Sequence, residues 1–463
     1  MRRFLGVSLA ICLSVTKADP DPDPDPTTLT KKLLFGYQGW FDTPNSGSTR
    51  DEWVHWAGGV PTWNQSTFDL WPATDEYEFT VPTENLSNKD GNLKLFSSFS
   101  KSTTDLHFQW MHDYGIDGVY VQRFITYCID GPNADKDVIL QNAIAAAEKT
   151  NRVISIMYDI SGAAEDKWAD ALLNDWKHIV EDFNVTASPS WLHHNGKPVM
   201  SIWGIGFTDH PGTPNSSKQL LSDLNDYTPI TFVGGVPTHW RESTGDSKPG
   251  YESTYALMDV ISPWLVGRFD STEAFDSYMN NVFIDDAAQT ASTGQSYAPV
   301  IFPGFSWANL QRTKGGSAEF NQIPRDSGTF WSHQANAFRD MDNEPLFIYG
   351  AMFDEVDEGT AMFKVVSTKE ETPDAPAQFL YLNVDDGIEV AEDFYLSLAG
   401  NFTRDWRASS DAPSKKQSTP KKRKTWSISQ LEKRAQEANE FALRELEAKL
   451  WLTKNEWDVS ENY

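Results

Sequence analysis

Eight short apolar runs recur along the chain with longer amphipathic stretches between them: 33–41, 118–124, 153–160, 198–207, 230–236, 258–266, 299–307 and 346–353. Several separating stretches carry a helical period. Residues 136–150 place Ile139, Leu140, Ala143, Ile144 and Ala147 on one face, and 167–183 reads the same way. Buried-type strands that alternate with helices predict an α/β chain, specifically a parallel (β/α)8 TIM barrel. A doubly wound open sheet is the other architecture that fits. Such sheets usually show a glycine-rich phosphate turn, and neither G-x-G-x-x-G nor a P-loop occurs here.

The remaining segments hang on that barrel, expected over 33–365. The first run is followed by a long insertion, from Asp42 to about Ser102, holding Trp53, His55, Trp56, Trp63, Trp71 and Tyr77. A loop after a barrel strand lies over the C-terminal face, where such folds keep their sites. Trp56 and Trp71 are therefore candidate walls of a cleft, and equally a small core beneath a long loop. Residues 366–408 read as a small C-terminal β appendage, with alternation at 378–382 and 394–400. A Lys/Ser/Pro linker (409–426) and a helical tail (427–463) follow. Ser429 and Glu432 make a capping box there, and Lys421-Lys422-Arg423-Lys424 reads as solvated linker.

At the other end, Arg2 and Arg3 precede an apolar stretch, 4–15, with small residues at Thr16 and Ala18. This predicts a secretory signal over 1–18, too short to span a bilayer. Four Asp-Pro repeats begin a spacer over 19–32, extended because each Pro fixes φ and disfavours helix before it. Cys12 lies in the signal, so Cys128 is the single thiol of the mature chain and no internal disulfide is expected. Asn64, Asn85, Asn184, Asn215 and Asn401 open N-x-S/T triplets, which suit secretion.

Charge narrows the partners. The net charge is -27, and the signal and the basic C-terminal segment mask a still more acidic body. Such a surface repels nucleic acid and anionic lipid, so neither nucleic acid nor membrane is an expected partner. Eighteen Trp and 13% aromatic residues suit a neutral substrate instead, because aromatic faces stack on the C–H faces of sugar rings. The same residues could also simply fill a large core.

Chemistry concentrates at the end of the last run. Asp354, Glu355, Asp357 and Glu358 follow apolar strand residues directly, and Gly359 breaks the element. Crowded carboxylates resist joint ionisation. Glycoside hydrolysis needs that inequality, with one carboxyl protonated and one ionised. Glu355 and Glu358, three apart across a turn, are the candidate catalytic pair. An exposed acidic loop and a divalent-metal site remain alternatives, although no tight His/Asp spacing accompanies the segment. No metal and no cofactor are expected.

Asp354-Glu355-Val356-Asp357-Glu358-Gly359-Thr360 resembles the Asn-Glu-Trp-x-Glu-Gly-Thr motif of glycoside hydrolase family 99, the endo-α-mannosidases and endo-α-mannanases. Further segments resemble a related group of secreted fungal and bacterial proteins, often labelled xylosidase/arabinosidase, near families 71 (α-1,3-glucanases) and 99. These are Gly36-Tyr37-Gln38-Gly39-Trp40-Phe41, Asp69-Leu70-Trp71-Pro72, Met157-Tyr158-Asp159-Ile160, Pro303-Gly304-Phe305-Ser306-Trp307 and Ile323-Pro324-Arg325. The resemblance covers about 33–408. It implies a retaining, substrate-assisted reaction in which Glu355 deprotonates the sugar 2-hydroxyl and Glu358 serves as general acid, then base. Asp354 stands where the motif has Asn, and Val356 where it has Trp, which puts mannose specificity in question more than hydrolysis.

Polar and aromatic residues at strand ends complete the expected site: Tyr37, Gln38, Tyr120, Gln122, Arg123, Asp159, Trp203, His239, Trp240, Trp264 and Trp307. Arg123 has a second reading as the ion-pair partner of the acidic cluster, and His239 as a loop cap. The expectation is a secreted, extracellular, monomeric glycosidase cleaving an α-linked neutral polysaccharide or glycan. An inactive carbohydrate-binding barrel, an α-1,3-glucanase-type hydrolase and a metal-dependent hydrolase are the competing readings.

Overall fold

The computed structural model describes residues 23–384 and 388–409. The expected signal and most of the linker and tail lie outside these residues. Strand β1 (Leu33–Tyr37) is followed by a hairpin, β2 (Thr80–Asn88) and β3 (Gly91–Phe96), and by helix α1 (Lys101–Tyr114). Next come β4 (Gly118–Phe124), α2 (Ala134–Thr150), β5 (Val153–Asp159) and α3 (Trp168–Phe183). A short β6 (His193–His194) folds back antiparallel on β7 (Lys197–Trp203), and α4 (Pro214–Tyr227) and β8 (Thr231–Val236) follow. A single turn, α5 (Glu252–Tyr255), leads to β9 (Val260–Pro263). Helices α6 (Thr272–Tyr278) and α7 (Ile284–Thr293) run together through a π turn. The chain ends with β10 (Ser296–Tyr297), β11 (Val300–Ile301), α8 (Ala308–Thr313), α9 (Thr329–Arg339), β12 (Ile348–Gly350) and α10 (Phe394–Ala408).

The parallel strands close on themselves. β1 pairs with both β4 and β12, and pairing continues through β5, β7, β8 and β9 to β10. β10 and β11 are one barrel strand interrupted at Ala298-Pro299, because Pro lacks the N–H a ladder needs. β11 pairs with β12 and completes the ring. Each of the eight apolar runs contributes one position in this (β/α)8 barrel.

Three expectations change. Residues 394–400 form the start of helix α10, not a strand. Tyr395, Leu396, Ala399, Phe402, Thr403 and Trp406 are buried, a helical spacing hidden when only the first seven residues are read. Gly400 lets this helix touch α1, since an added Cβ would fall 1.6 Å from the Tyr114 carbonyl oxygen. The stretch 378–382 is irregular, with a bridge from Leu380 to Leu70, so the described residues form no β appendage. Finally, the described part of the Asp-Pro spacer is packed down. Asp23 bonds the buried Arg152 at 2.6 Å, the Pro26 carbonyl accepts from His193 N–H at 2.7 Å, and Leu29 is fully buried.

The insertion after β1 resolves in favour of a satellite core. Trp56 is buried among Phe41, Phe68 and Phe96, and its Nε1–H donates to the Phe96 carbonyl at 2.9 Å. Trp71 is buried against Phe68 and Phe379. Neither ring is open to a ligand, which corrects their expected place in a cleft wall.

Candidate active site

Alternation along the strands sorts the expected site residues. Successive side chains on a strand point to opposite faces, into the barrel or out toward the helices. Gly36 faces inward, where an added Cβ would meet the Tyr349 hydroxyl at 2.1 Å, so Gln38 points to the mouth and Tyr37 outward. Tyr37 is fully buried, with its hydroxyl 3.0 Å from Nδ1 of His107 on α1, and is not a substrate contact. On β4, Gln122 faces inward and donates to the Tyr349 hydroxyl at 2.8 Å. Arg123 faces outward and pairs with Asp137 of α2 and Asp175 of α3 at 2.5–2.6 Å. It is a buried ion pair, as its second reading held, but with helix carboxylates and not with the strand-end cluster. Asp159 ends β5 on the inward parity and accepts the Ser161 N–H at 2.7 Å and its hydroxyl at 2.5 Å.

The loop leaving β12 holds the carboxylates, and other segments brace it. Asp69 accepts the Ser306 hydroxyl at 2.5 Å and the backbone N–H groups of Ala308 and Asn309 at 2.7 and 2.8 Å. Ser306 in turn donates its N–H to the Glu358 carbonyl at 2.9 Å. Arg325 donates to the carbonyls of Gly359 and Ala361 at 2.8 and 2.6 Å. Gly359 has φ +66°, and an added Cβ would sit 3.0 Å from Ser306 N, so glycine meets both a conformational and a steric demand. Val356 is fully buried, and its carbonyl accepts the Leu70 N–H at 3.3 Å. The side chain that replaces Trp therefore does not line the mouth.

The acidic residues do different jobs. Asp354 accepts the Gln38 N–H at 2.7 Å on one oxygen and the Gly39 N–H at 2.9 Å on the other. Burial pushes its pKa up to about 7, against those two bonds. It anchors the loop after β1. Asn in this place has one acceptor oxygen and would aim an NH2 group at a backbone N–H. Asp354→Asn is expected to cost about 1–3 kcal/mol in unfolding free energy and to reduce turnover by loosening Gln38. Denaturant melts and steady-state rates on one preparation check both, and unchanged stability would refute the anchoring role.

Glu355 accepts Gln38 Nε2–H at 2.9 Å on one oxygen and the Thr360 hydroxyl at 2.8 Å on the other. Burial, then the charges of Glu358 and Asp357, raise its pKa well above the ordinary value, while the two donors pull the other way. Gln38 Oε1 is buried with no partner among the described residues. Glu358 is partly open, and neither of its oxygens accepts a bond from a described side chain. Burial and then Asp357 raise its pKa, and Lys314 opposes them. Asp357 is also raised by burial, and lies 3.2 Å from His55 Nδ1. His55 stacks on Trp40 with ring centroids 4.1 Å apart. The sequence places Asp357 in the acidic cluster but does not link it to His55, because a contact spanning 302 positions leaves no local pattern.

The far rim carries the other aromatics. Trp203 at the end of β7 and Trp264 after β9 meet edge to face at 5.3 Å, and both are partly open. Trp240 is buried against Tyr255 of α5, and Trp307 against Phe305. Tyr120 is likewise buried inside the barrel near Tyr349. The His239 N–H donates to Asp246 at 3.1 Å, which suits a loop cap. Among the described residues no group of three His, Cys, Asp or Glu is placed to hold a metal ion.

Neither a family model nor a curated protein matches the sequence. Solved structures do match by fold. The family 99 endo-α-mannosidase of Bacteroides thetaiotaomicron, in complex with bis-tris propane, superposes with a TM-score of 0.59 at 14% identity, covering 83% of this chain and 100% of that one. A second structure of a Bacteroides thetaiotaomicron family 99 endo-α-mannosidase gives 0.58 at 14%, covering 82% and 99%. A glycoside hydrolase-like protein gives 0.50 at 12%, covering 83% and 97%. At these identities the likeness is one of fold.

Proposed function

We propose that the chain is a glycosidase acting on an α-linked neutral glycan, with Glu355 and Glu358 at the reacting bond. The observation that carries this reading is the unequal treatment of two neighbouring carboxyls. Glu355 receives donors on both oxygens, which suits an ionised acceptor, whereas Glu358 receives none from a described side chain and faces partly open space. One crowded group holds a proton and the other a charge, as acid-base cleavage of a glycosidic bond requires. In the substrate-assisted route, Glu355 takes the proton of the sugar 2-hydroxyl while that oxygen attacks the anomeric carbon. Glu358 protonates the departing oxygen, then deprotonates the water that opens the 1,2-anhydro sugar while Glu355 returns its proton to the 2-oxygen, which resets both carboxyls with net retention. The fold shared with family 99 endo-α-mannosidases supports this reading. Exposed Asn64, Asn85, Asn184 and Asn215 suit a secreted, extracellular glycoprotein. The acidic surface suits a monomer with neither nucleic acid nor membrane as partner.

The test is a panel of α-mannans, α-1,3-glucan and arabinoxylan, with products read by mass and anomeric configuration by NMR. Inversion would remove the anhydro route. Binding without cleavage would favour the inactive carbohydrate-binding barrel, and chelator-sensitive cleavage a metal-dependent hydrolase.

The pH profile adds a second check. Glu358 must be protonated to act as acid, and Asp357 helps keep it so by raising its pKa. Asp357→Asn removes that charge, lowers the Glu358 pKa and moves the alkaline limb of kcat to lower pH. An alkaline limb that stays in place would separate Asp357 from the acid's titration.

A further inference from the structure

β7 lies directly across the barrel from β12, four strands away in either direction. The loops after β7, β8 and β9 build a second constellation there, away from the carboxylates. Trp203 packs against Phe207 at 5.1 Å, His210 at 4.9 Å and Trp264 at 5.3 Å. Two glycines shape the cluster. At Gly235 of β8, an added Cβ would fall 2.7 Å from Trp203 Cδ1, and at Gly204 one would fall 2.7 Å from His210 Cδ2. The Trp203 ring thus lies where a side chain on the neighbouring strand would otherwise sit.

The cluster is held rigidly. The Trp264 N–H donates to the Val236 carbonyl at 2.9 Å, and the Trp264 carbonyl accepts the Thr238 hydroxyl at 2.7 Å. Asp246 accepts from Thr238 N–H at 3.0 Å, His239 N–H at 3.1 Å and Arg268 at 2.7 Å, tying the loops after β8 and β9 together. Lys248 donates to the carbonyls of His210 and Gly212 at 2.6 and 2.9 Å, which ties in the loop after β7. Positions fixed this firmly on strand ends are what a preorganised binding site needs.

Polar capacity accompanies the rings. His210 Nδ1 is 2.7 Å from an Asp209 oxygen, which can only accept, so Nδ1 carries the hydrogen and Nε2 of the neutral ring is an acceptor. His210 Nε2 and the Trp203 Nε1–H donor are both buried with no partner among the described residues. The His210 side chain is more than nine-tenths buried. One donor and one acceptor beside aromatic surface match a sugar ring, whose hydroxyls both give and take hydrogen bonds beside apolar C–H faces.

We propose that Trp203, Phe207, His210 and Trp264 form a distal subsite that binds a neutral pyranose unit of an extended glycan. Placement across the mouth puts that unit away from the bond cleaved at Glu355 and Glu358, an assignment that rests on the glycosidase reading. The substrate is then an oligo- or polysaccharide chain spanning the mouth.

The test uses the full chain carrying Glu358→Gln, titrated calorimetrically with α-linked manno- and gluco-oligosaccharides from disaccharide to hexasaccharide. Affinity is expected to rise with length. Adding Trp264→Ala or Trp203→Ala should remove that gain, weakening the longest ligand about tenfold or more. Trp264→Phe, which keeps a ring, should restore most of it, and Gly235→Ala, which displaces Trp203, should mimic its loss. With active enzyme, the fall in kcat/KM for Trp264→Ala should grow with substrate length. No length-dependent gain, or a gain that survives both tryptophan replacements, overturns the subsite. Hydrolysis that is abolished by Glu355→Gln would still stand in that case, so the two failures are distinguishable.

Discussion

Glu358→Gln is expected to lower kcat by roughly 10²–10⁴-fold on a natural glycan, the usual worth of a positioned general acid. The amide keeps the size of the side chain but cannot deliver a proton to the leaving oxygen. An aryl glycoside with an acidic phenol needs little protonation, so cleavage of its bond should be far less impaired. Glu355→Gln is expected to be damaging on both substrates, because its work is on the 2-hydroxyl and not on the leaving group. It also reverses one contact at the site. The Glu355 oxygens accept from Gln38 and Thr360, and an amide NH2 directed at either donor loses that bond. Both variants should fold, and relieving repulsion among buried carboxylates tends to raise stability. Rates on the two substrate classes, with melting curves for each variant, decide the matter. Near-normal turnover of the natural glycan by either variant would remove that residue from the mechanism.

The barrel was legible because its signal is local. Short apolar runs recur at intervals, and stretches with one apolar helical face lie between several of them. The acidic cluster was legible for a related reason, since a strand that ends in four carboxylates is costly unless they are used. Strand parity was equally available and would have corrected two assignments. Tyr37 and Arg123 are one step out of phase with Gln38 and Gln122, and therefore face the helices. Trp56 and Trp71 were harder, since an aromatic ring in a long loop looks the same whether it walls a cleft or fills a core. The Asp357–His55 contact and the place of His210 beside Trp203 come from tertiary packing alone.

The departures from the family 99 motif separate in the same way. Asp354 answers to two backbone N–H groups after β1, and Val356 to a buried site beneath Leu70. Both differences are explained by how the loop is braced. Neither places a new side chain in the mouth, so substrate choice is read better from the rim, where Trp203 and Trp264 remain partly open.

Arg123→Ala should be the most destabilising single replacement on the outer face of the barrel, by about 3–5 kcal/mol. Arg123 is 2% exposed and sits between β4 and helices α2 and α3, bonded to Asp137 and to both oxygens of Asp175. Burial alone would lower its pKa, but the hydrogen bonds and charge of Asp175 more than offset this and hold the guanidinium charged. Removing it leaves two buried carboxylates. Asp175 keeps the Tyr158 hydroxyl at 2.9 Å, and Asp137 keeps His178 Nε2 at 3.0 Å, neither of which replaces a buried guanidinium. Adding Asp137→Asn and Asp175→Asn to Arg123→Ala should recover part of the loss, because the stranded charges, more than the missing attraction, are what destabilise the variant. The KM of whatever Arg123→Ala enzyme remains folded should match the wild type, since this side chain points away from the mouth. Urea melts of the single and triple variants measure the first effect and initial-rate kinetics the second. A raised KM in fully folded protein would return Arg123 to the substrate, and a loss below about 1 kcal/mol would show that the ion pair contributes little to holding α2 and α3 against β4.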